Sequence, residues 1–456
     1  MMFSAADTGK ASFFKGYALM ILLVGLVIRF VLAPLFTYPF DVEHWAVVMQ
    51  NIESGNDLYS LAGYFYTPVW GYLLGAQDLF VNTFLSALTY GERFIDLAGI
   101  EALSFVYHTS TVTTVGYNFV MKLPLIIVDV LVGYLVYRMA LSESGDERKA
   151  VTAFGCWFLC PLVIYMSSVQ VQFDCFSALF ALICILFLKK DRYFGAGVFF
   201  ALGALLKFFP LFCILLFGVY ALRSQSDRRI GARQLALLAI GIFVTVFVIY
   251  TPQILSGTVM DSLSFMIERG SNSNLYSSLR IWIPALLLIY TVFAFAFKAK
   301  KMPETELKSS LYLLALTLLC VATLCSSGPQ YCIVYLPLIF VYAVVNSRKD
   351  LLTCVVIFTS LAAVAAFLNN NVSLVATLVE YCGFWNSSGF MDAMQLVDSL
   401  TIGVPVRLTI SFVVETAQLL FNVILLVLLY RSVGLFDKYP RFNQVADRLG
   451  GILGAR

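Results

Sequence analysis

The chain has 456 residues, 60% of them apolar and 12% charged, with 30 Lys and Arg against 27 Asp and Glu. Soluble domains carry about 25% charged residues, so this composition excludes a soluble chain of two or three domains and fits one membrane domain, 1–456. The small excess of positive charge sits in loops between apolar stretches, so it does not point to nucleic acid.

A membrane-spanning helix needs about 20 apolar residues. The first predicted span is 17–37, read as uncleaved because its apolar run is too long for a signal peptide. A long outer segment, 38–116, follows. Further spans are predicted at 118–138, 151–168 and 173–188. The stretch 194–222 is broken by Lys207 and Pro210 and reads as two short spans. Spans at 234–252, 279–297, 309–325, 331–346, 351–368 and 406–430 complete the set, with outer segments at 253–278 and 369–405. The fold class predicted is an all-α polytopic membrane protein of about twelve transmembrane helices.

With the N-terminus placed in the cytoplasm, 23 of the 30 Lys and Arg fall in inner loops, the usual orientation signal. The others are Arg29, Arg93, Lys122, Lys207, Arg269, Arg280 and Arg407, all toward the outer side. A crossing at 68–90 would turn most later basic loops outward. The segment 38–116 is therefore expected to stay outside. No repeat of the two halves is evident, although many secondary transporters have one. The ten cysteines form no CxxC pair, which points away from zinc and from a disulfide framework.

In the outer segment, Val42, Trp45, Val48, Met49 and Ile52 share one helical face, predicting an amphipathic helix along the membrane surface. Asp41 stands at its start, with Glu43 and His44 beside it. Asp41 reads either as a helix cap or as a carboxylate placed to take a proton. A charge inside a span costs about 2.5–3.5 kcal/mol on insertion scales, so Lys207 between Leu206 and Phe208 needs a partner or a ligand. Asp129 and Asp174 read as structural partners, Lys122 with Asp129 for instance. No cluster of metal-ligand spacing is present, so neither metal nor cofactor is inferred.

Several motifs in order carry a resemblance. They are Asp41-x-x-x-Trp45, Ser54-Gly55-Asn56-Asp57-Leu58-Tyr59 and Tyr64-Phe65-Tyr66-Thr67-Pro68. Lys122-Leu123-Pro124 with Asp129 and Tyr137-Arg138 comes next, then Phe158-Leu159-Cys160-Pro161 with Ser167-Ser168 and Asp174. Leu206-Lys207-x-x-Pro210 and Gln330-Tyr331 with Pro337 end the series. Together they resemble GT-C glycosyltransferases over about 38–340, above all the catalytic subunit of GPI mannosyltransferase I, with bacterial polyprenyl-phosphate-sugar transferases as cousins. Pro39 stands where the family often has a second acid, and Cys160 replaces its usual Asn.

The resemblance implies inverting transfer of a sugar, mannose first, from a polyprenyl-phosphate donor to a lipid-linked or glycan acceptor. It places the chemistry at the outer or luminal face of the plasma membrane or endoplasmic reticulum. Asp41 and Glu43 are then the catalytic acids. Lys207, Lys122, Arg269, Arg280, His44, Tyr66, Gln330 and Tyr331 are the substrate-binding set. Membrane lipids and an accessory membrane subunit are the further partners expected. The rival reading is a transporter or flippase for a lipid-linked or anionic substrate, which would not need a long acidic first outer loop.

Overall fold

A computed structural model describes residues 5–60, 64, 66–85, 94–96, 111–224, 227–264, 275–300, 302–325, 328–383, 389, 406–434, 444–445 and 447–448. Helix α1 (Ala5–Leu35) is followed by α2 (Pro39–Glu53) and α3 (Pro68–Phe80). A short antiparallel ribbon then pairs β1 (Phe94–Asp96) with β2 (Thr111–Thr113), setting Ile95 opposite Val112. The all-helical expectation did not include this ribbon.

Helix α4 (Val115–Ser144) begins on the side-chain cap of Thr114 and ends at Gly145, whose left-handed backbone closes it. Helix α5 (Glu147–Phe158) starts on the cap of Asp146. Its apolar stretch does not run straight to 168. Pro161 opens α6 (Pro161–Ser168) after a 47° bend, because a proline ring cannot continue the helix before it. Next come α7 (Asp174–Lys189), α8 (Tyr193–Leu206) and α9 (Ile214–Arg223), with a 3-10 turn at Phe209–Cys213. The long helices α10 (Arg228–Ser256), α11 (Leu275–Ala299) and α12 (Glu304–Thr323) follow, then α13 (Leu336–Val345), α14 (Lys349–Leu374) and α15 (Val406–Ser432).

Each predicted span thus has a helix, but among the described residues six are long and apolar enough to cross a membrane, or seven with the bent α5–α6 pair taken as one. The other apolar helices are shorter. Helices α12 and α13 are buried on nearly every side, as helices apolar all round should be. Helices α1 and α10 expose Leu23, Val27, Phe243 and Phe247, as lipid-facing helices do. Helices α8 and α10 cross with almost no gap: a Cβ on Gly197 would lie 2.2 Å from the Leu238 carbonyl oxygen. Small residues at a crossing let two membrane helices approach this closely.

The basic loops gather at one end of the bundle. There Lys189 pairs with Glu143, Lys149 reaches the Val345 carbonyl at 2.7 Å, and Lys308 reaches Asp191 at 2.7 Å. At the opposite end Thr67 bonds the Leu205 carbonyl and Ser256 bonds Asp57 at 2.9 Å. Helix α7 has 16 residues and α8 has 14, or about 24 and 21 Å at ~1.5 Å per residue. Both fall short of the roughly 30 Å hydrocarbon core. Both helices stop short at the end away from the basic loops, and there α2 and α3 pack on Phe173, just ahead of α7.

Candidate functional site

Asp174 opens α7 and Lys207 follows the last turn of α8, so one carboxylate and one ammonium meet at this end of the two helices. Lys207 has extended backbone, because Pro210 three residues on forces the chain out of the helix. Its Nζ stands 3.4 Å from Asp174 Oδ2, inside ion-pair range. Apart from Lys207, neither carboxylate oxygen of Asp174 has a side-chain hydrogen-bond partner among the described residues. Three rings surround the ammonium: Phe173 at 4.4 Å, Tyr331 at 5.7 Å and Tyr66 at 5.9 Å from their centroids. Cations sit favourably over aromatic faces within about 6 Å.

Helix α2 lies against the rings beside this pair. The surface helix expected from its pattern is not what forms. Val42, Trp45, Val48 and Met49 are buried against protein, because α3 brings Trp70 and Leu74 over that face. Trp45 meets Tyr66, Trp70 and Phe173 edge-on, while Trp70 stacks on Phe173 at 4.2 Å. This aromatic cluster fixes the depth of the first turn of α2.

Asp41 lies in that first turn, and the capping position belongs to Tyr38, with no side-chain cap bond. The Asp41 carboxylate instead accepts a 2.6 Å hydrogen bond from Gln172 Nε2. Burial pushes its pKa up to about 7; Lys207 and the Gln172 bond pull it down, and Asp174 pushes it up. A carboxyl near 7 is ionised about half the time at neutral pH, the condition a general base needs.

The other predicted residues divide. Tyr66 and Tyr331 face Lys207. Glu43 is two positions from Asp41, and such residues do not share a helix face, so the two acids are not built as a pair. His44 is half-buried beside Trp45, and burial lowers its pKa. Gln330 packs under Gly328, where a Cβ would meet its amide at 2.6 Å. Lys122 is fully buried and donates to the carbonyls of Ala33, at 2.7 Å, and Phe36. It caps the end of α1 rather than meeting Asp129 or facing a phosphate. Arg269 and the side chain of Arg280 lie outside the described residues.

Asp129 pairs with Arg29 at 3.0 Å, a partnership the sequence reading did not foresee. Gln172 was also missed, since a neutral amide in a loop leaves no charge signal. A separate cleft of about 720 Å³ lies among Tyr17, Arg148, Cys156 and Phe340, and none of its lining belongs to the Asp41–Lys207 group.

Residues 99–270 match the family model described as GPI transamidase subunit PIG-U, a segment that holds Asp174 and Lys207 but not Asp41. Over 109 residues, 24% of the chain, the protein is 31% identical to GPI mannosyltransferase 1 of Kluyveromyces lactis. The match covers 26% of that relative's length. The chain is thus a helical, multi-pass membrane protein similar in part to two proteins named for GPI.

Proposed function

We propose that the chain is a GT-C-type glycosyltransferase of a GPI-like pathway, in the endoplasmic reticulum of a cell that has one. It moves a sugar, mannose first, from a polyprenyl-phosphate donor to a lipid-linked glycan acceptor. The positive-inside rule sets the basic end toward the cytoplasm and the Asp41–Lys207 end toward the lumen. The observation that carries the reading is geometric: Asp41 is held by Gln172 beside Tyr66 and Lys207, with burial raising its carboxyl.

An acceptor hydroxyl gives its proton to Asp41 as its oxygen bonds to the anomeric carbon. The bond from that carbon to the phosphate oxygen breaks, and the electron pair leaves on the lipid phosphate. Lys207, close to Asp174, supplies the cation that the leaving phosphate needs. Glu43 stays in reserve one half-turn on. The test is incubation of purified protein with radiolabelled polyprenyl-phosphate-mannose and membrane lipids. Label moving into a lipid-linked glycan supports the reading; none moving, with the donor bound, counts against it.

A second reading is a non-catalytic subunit that holds a GPI lipid for another enzyme. It is favoured by the transamidase-subunit match, which covers Lys207 and stops short of Asp41. Under it, Lys207→Ala weakens lipid binding while Asp41→Asn changes nothing.

A further inference from the structure

Three non-glycine residues among those described have positive φ: Val171 at 64°, Asp191 at 56° and Ser347 at 54°. Asp191 and Ser347 lie in exposed turns at the basic end. Val171 is different. A β-branched residue in the left-handed region is a genuine outlier, and this one is buried, 1% exposed. Helix ends that reverse this way ordinarily use glycine.

The reversal ends α6. The amides of Val169 and Gln170 both donate to the Tyr165 carbonyl, at 3.0 and 2.9 Å. Val171 then turns left-handed, and the Gln172 amide donates back to the Met166 carbonyl at 2.8 Å. The next residue, Phe173, is clamped on the Trp70 ring. Gln172 is thus held on both sides, with its side-chain amide 2.6 Å from Asp41 Oδ2. Strain of this kind persists where the surroundings demand it, commonly at a working site.

Resting on the transferase reading above, we propose that Gln172 is a positioning residue for Asp41: the strained turn at Val171 aims its amide at one carboxylate oxygen, Oδ2, and leaves Oδ1 to take the acceptor's proton. The groups that also face this carboxylate are Tyr38, Tyr66, Asp174 and Lys207, with Glu43 and His44 on its own helix. Of these Lys207 alone is cationic, and Asp174 already stands beside it. Gln172 is the neutral donor that fixes the carboxylate's direction without adding charge where an anionic donor must bind.

The test is infrared titration of the full-length protein in lipid nanodiscs. The carboxylic C=O band of Asp41 is identified by its absence in Asp41→Asn. A hydrogen bond to the ionised form favours that form, so Gln172→Leu should raise the band's midpoint by about one to two pH units. Gln172→Asn, whose amide is one methylene too short, should move it in the same direction and serves if the leucine variant does not fold. In transfer assays kcat should fall with donor KM unchanged, and the acid limb of the pH profile should move with the band. An unmoved midpoint in a folded variant overturns the proposal. The titration needs no sugar donor. A band that shifts as expected in a protein with no transfer therefore counts against the transferase reading and not against the hold of Gln172 on Asp41.

Discussion

Two buried ion pairs lie on the same bundle and differ in the number of bonds that other groups make to them, although Arg29 Nη2 and Asp129 Oδ1 in the first pair are also left without a partner among the described residues. Arg29 and Asp129 have no exposed side-chain surface. Arg29 also donates to the Phe158 carbonyl at 2.8 Å and lies 4.1 Å over the Phe158 ring. Ser167 donates to Asp129 at 2.6 Å, and the Trp157 indole donates to the Asp129 carbonyl at 2.9 Å. The Lys207–Asp174 pair has 3.4 Å between charges, and no third side chain among the described residues bonds the carboxylate. A pair tied by side bonds holds helices together. Under the proposed reading, the pair with fewer side bonds exchanges its partner for a ligand, so charge alone does not tell a strut from a site.

The sharpest test sits beside the Lys207–Asp174 pair. Asp41→Asn keeps the shape and can still accept from Gln172, but cannot take a proton. Turnover should drop roughly 10²–10⁴-fold while expression and melting temperature hold. Near-normal transfer would remove Asp41 as the base and turn attention to Glu43.

Next is the strut. Arg29→Met leaves Asp129 buried and unpaired, which should cost about 3–5 kcal/mol, read as lost folded yield or a lowered melting temperature. Arg29→Met with Asp129→Leu should recover most of it, since an apolar pair of similar volume replaces a buried ion pair at little cost. No recovery would mean that the pair does more than join helices.

Lys207→Met should cost less stability than Arg29→Met, about 1–3 kcal/mol, because fewer bonds are broken. Its main effect should be on donor affinity, measured by lipid-phosphate binding. If stability falls as far as in Arg29→Met and affinity does not move, the two pairs are alike and the comparison fails.

The last test concerns pH. The Asp41 carboxyl rises from the ordinary 3.8 to about 7, chiefly through burial. The folded chain then keeps a proton that the unfolded chain has lost, so this group's contribution to stability falls as pH rises from about 4 to 7 and stays low above it. Transfer should rise through the upper part of that window as the base ionises. Asp41→Asn should flatten the fall in stability, seen in melting temperatures across pH.

The sequence carried the helices well, since apolar runs and the Lys207-Phe208-Phe209-Pro210 interruption state their own boundaries. Pairing was less legible. Lys122 and Asp129 lie seven residues apart on one helix, about 10 Å along the axis at ~1.5 Å per residue, too far for an ion pair. The true partners come from α1, which nothing in α4 announces. The burial of α2 was hidden for a similar reason: an apolar helix face fits a membrane surface and a protein surface equally well. Asp57 reads as part of an acidic loop, yet it accepts from the Tyr59 amide and from Ser256, tying a turn to the end of α10. Gln172 needed the fold, because only the reversal at Val171 brings it to Asp41.

The Arg29–Asp129 pair also sets an order of manufacture. Its two halves are 100 residues apart in the chain, on the first and second long apolar helices. Ribosomes add about 5–20 residues per second, so Arg29 reaches the bilayer several seconds before its counter-charge exists. For that interval the first helix carries a cation that insertion scales set at roughly 2.5–3.5 kcal/mol, offset by the long apolar run around it. Arrival of the second helix ends the interval. The lone cation of the first segment therefore has its counter-charge only once the second long helix has been made.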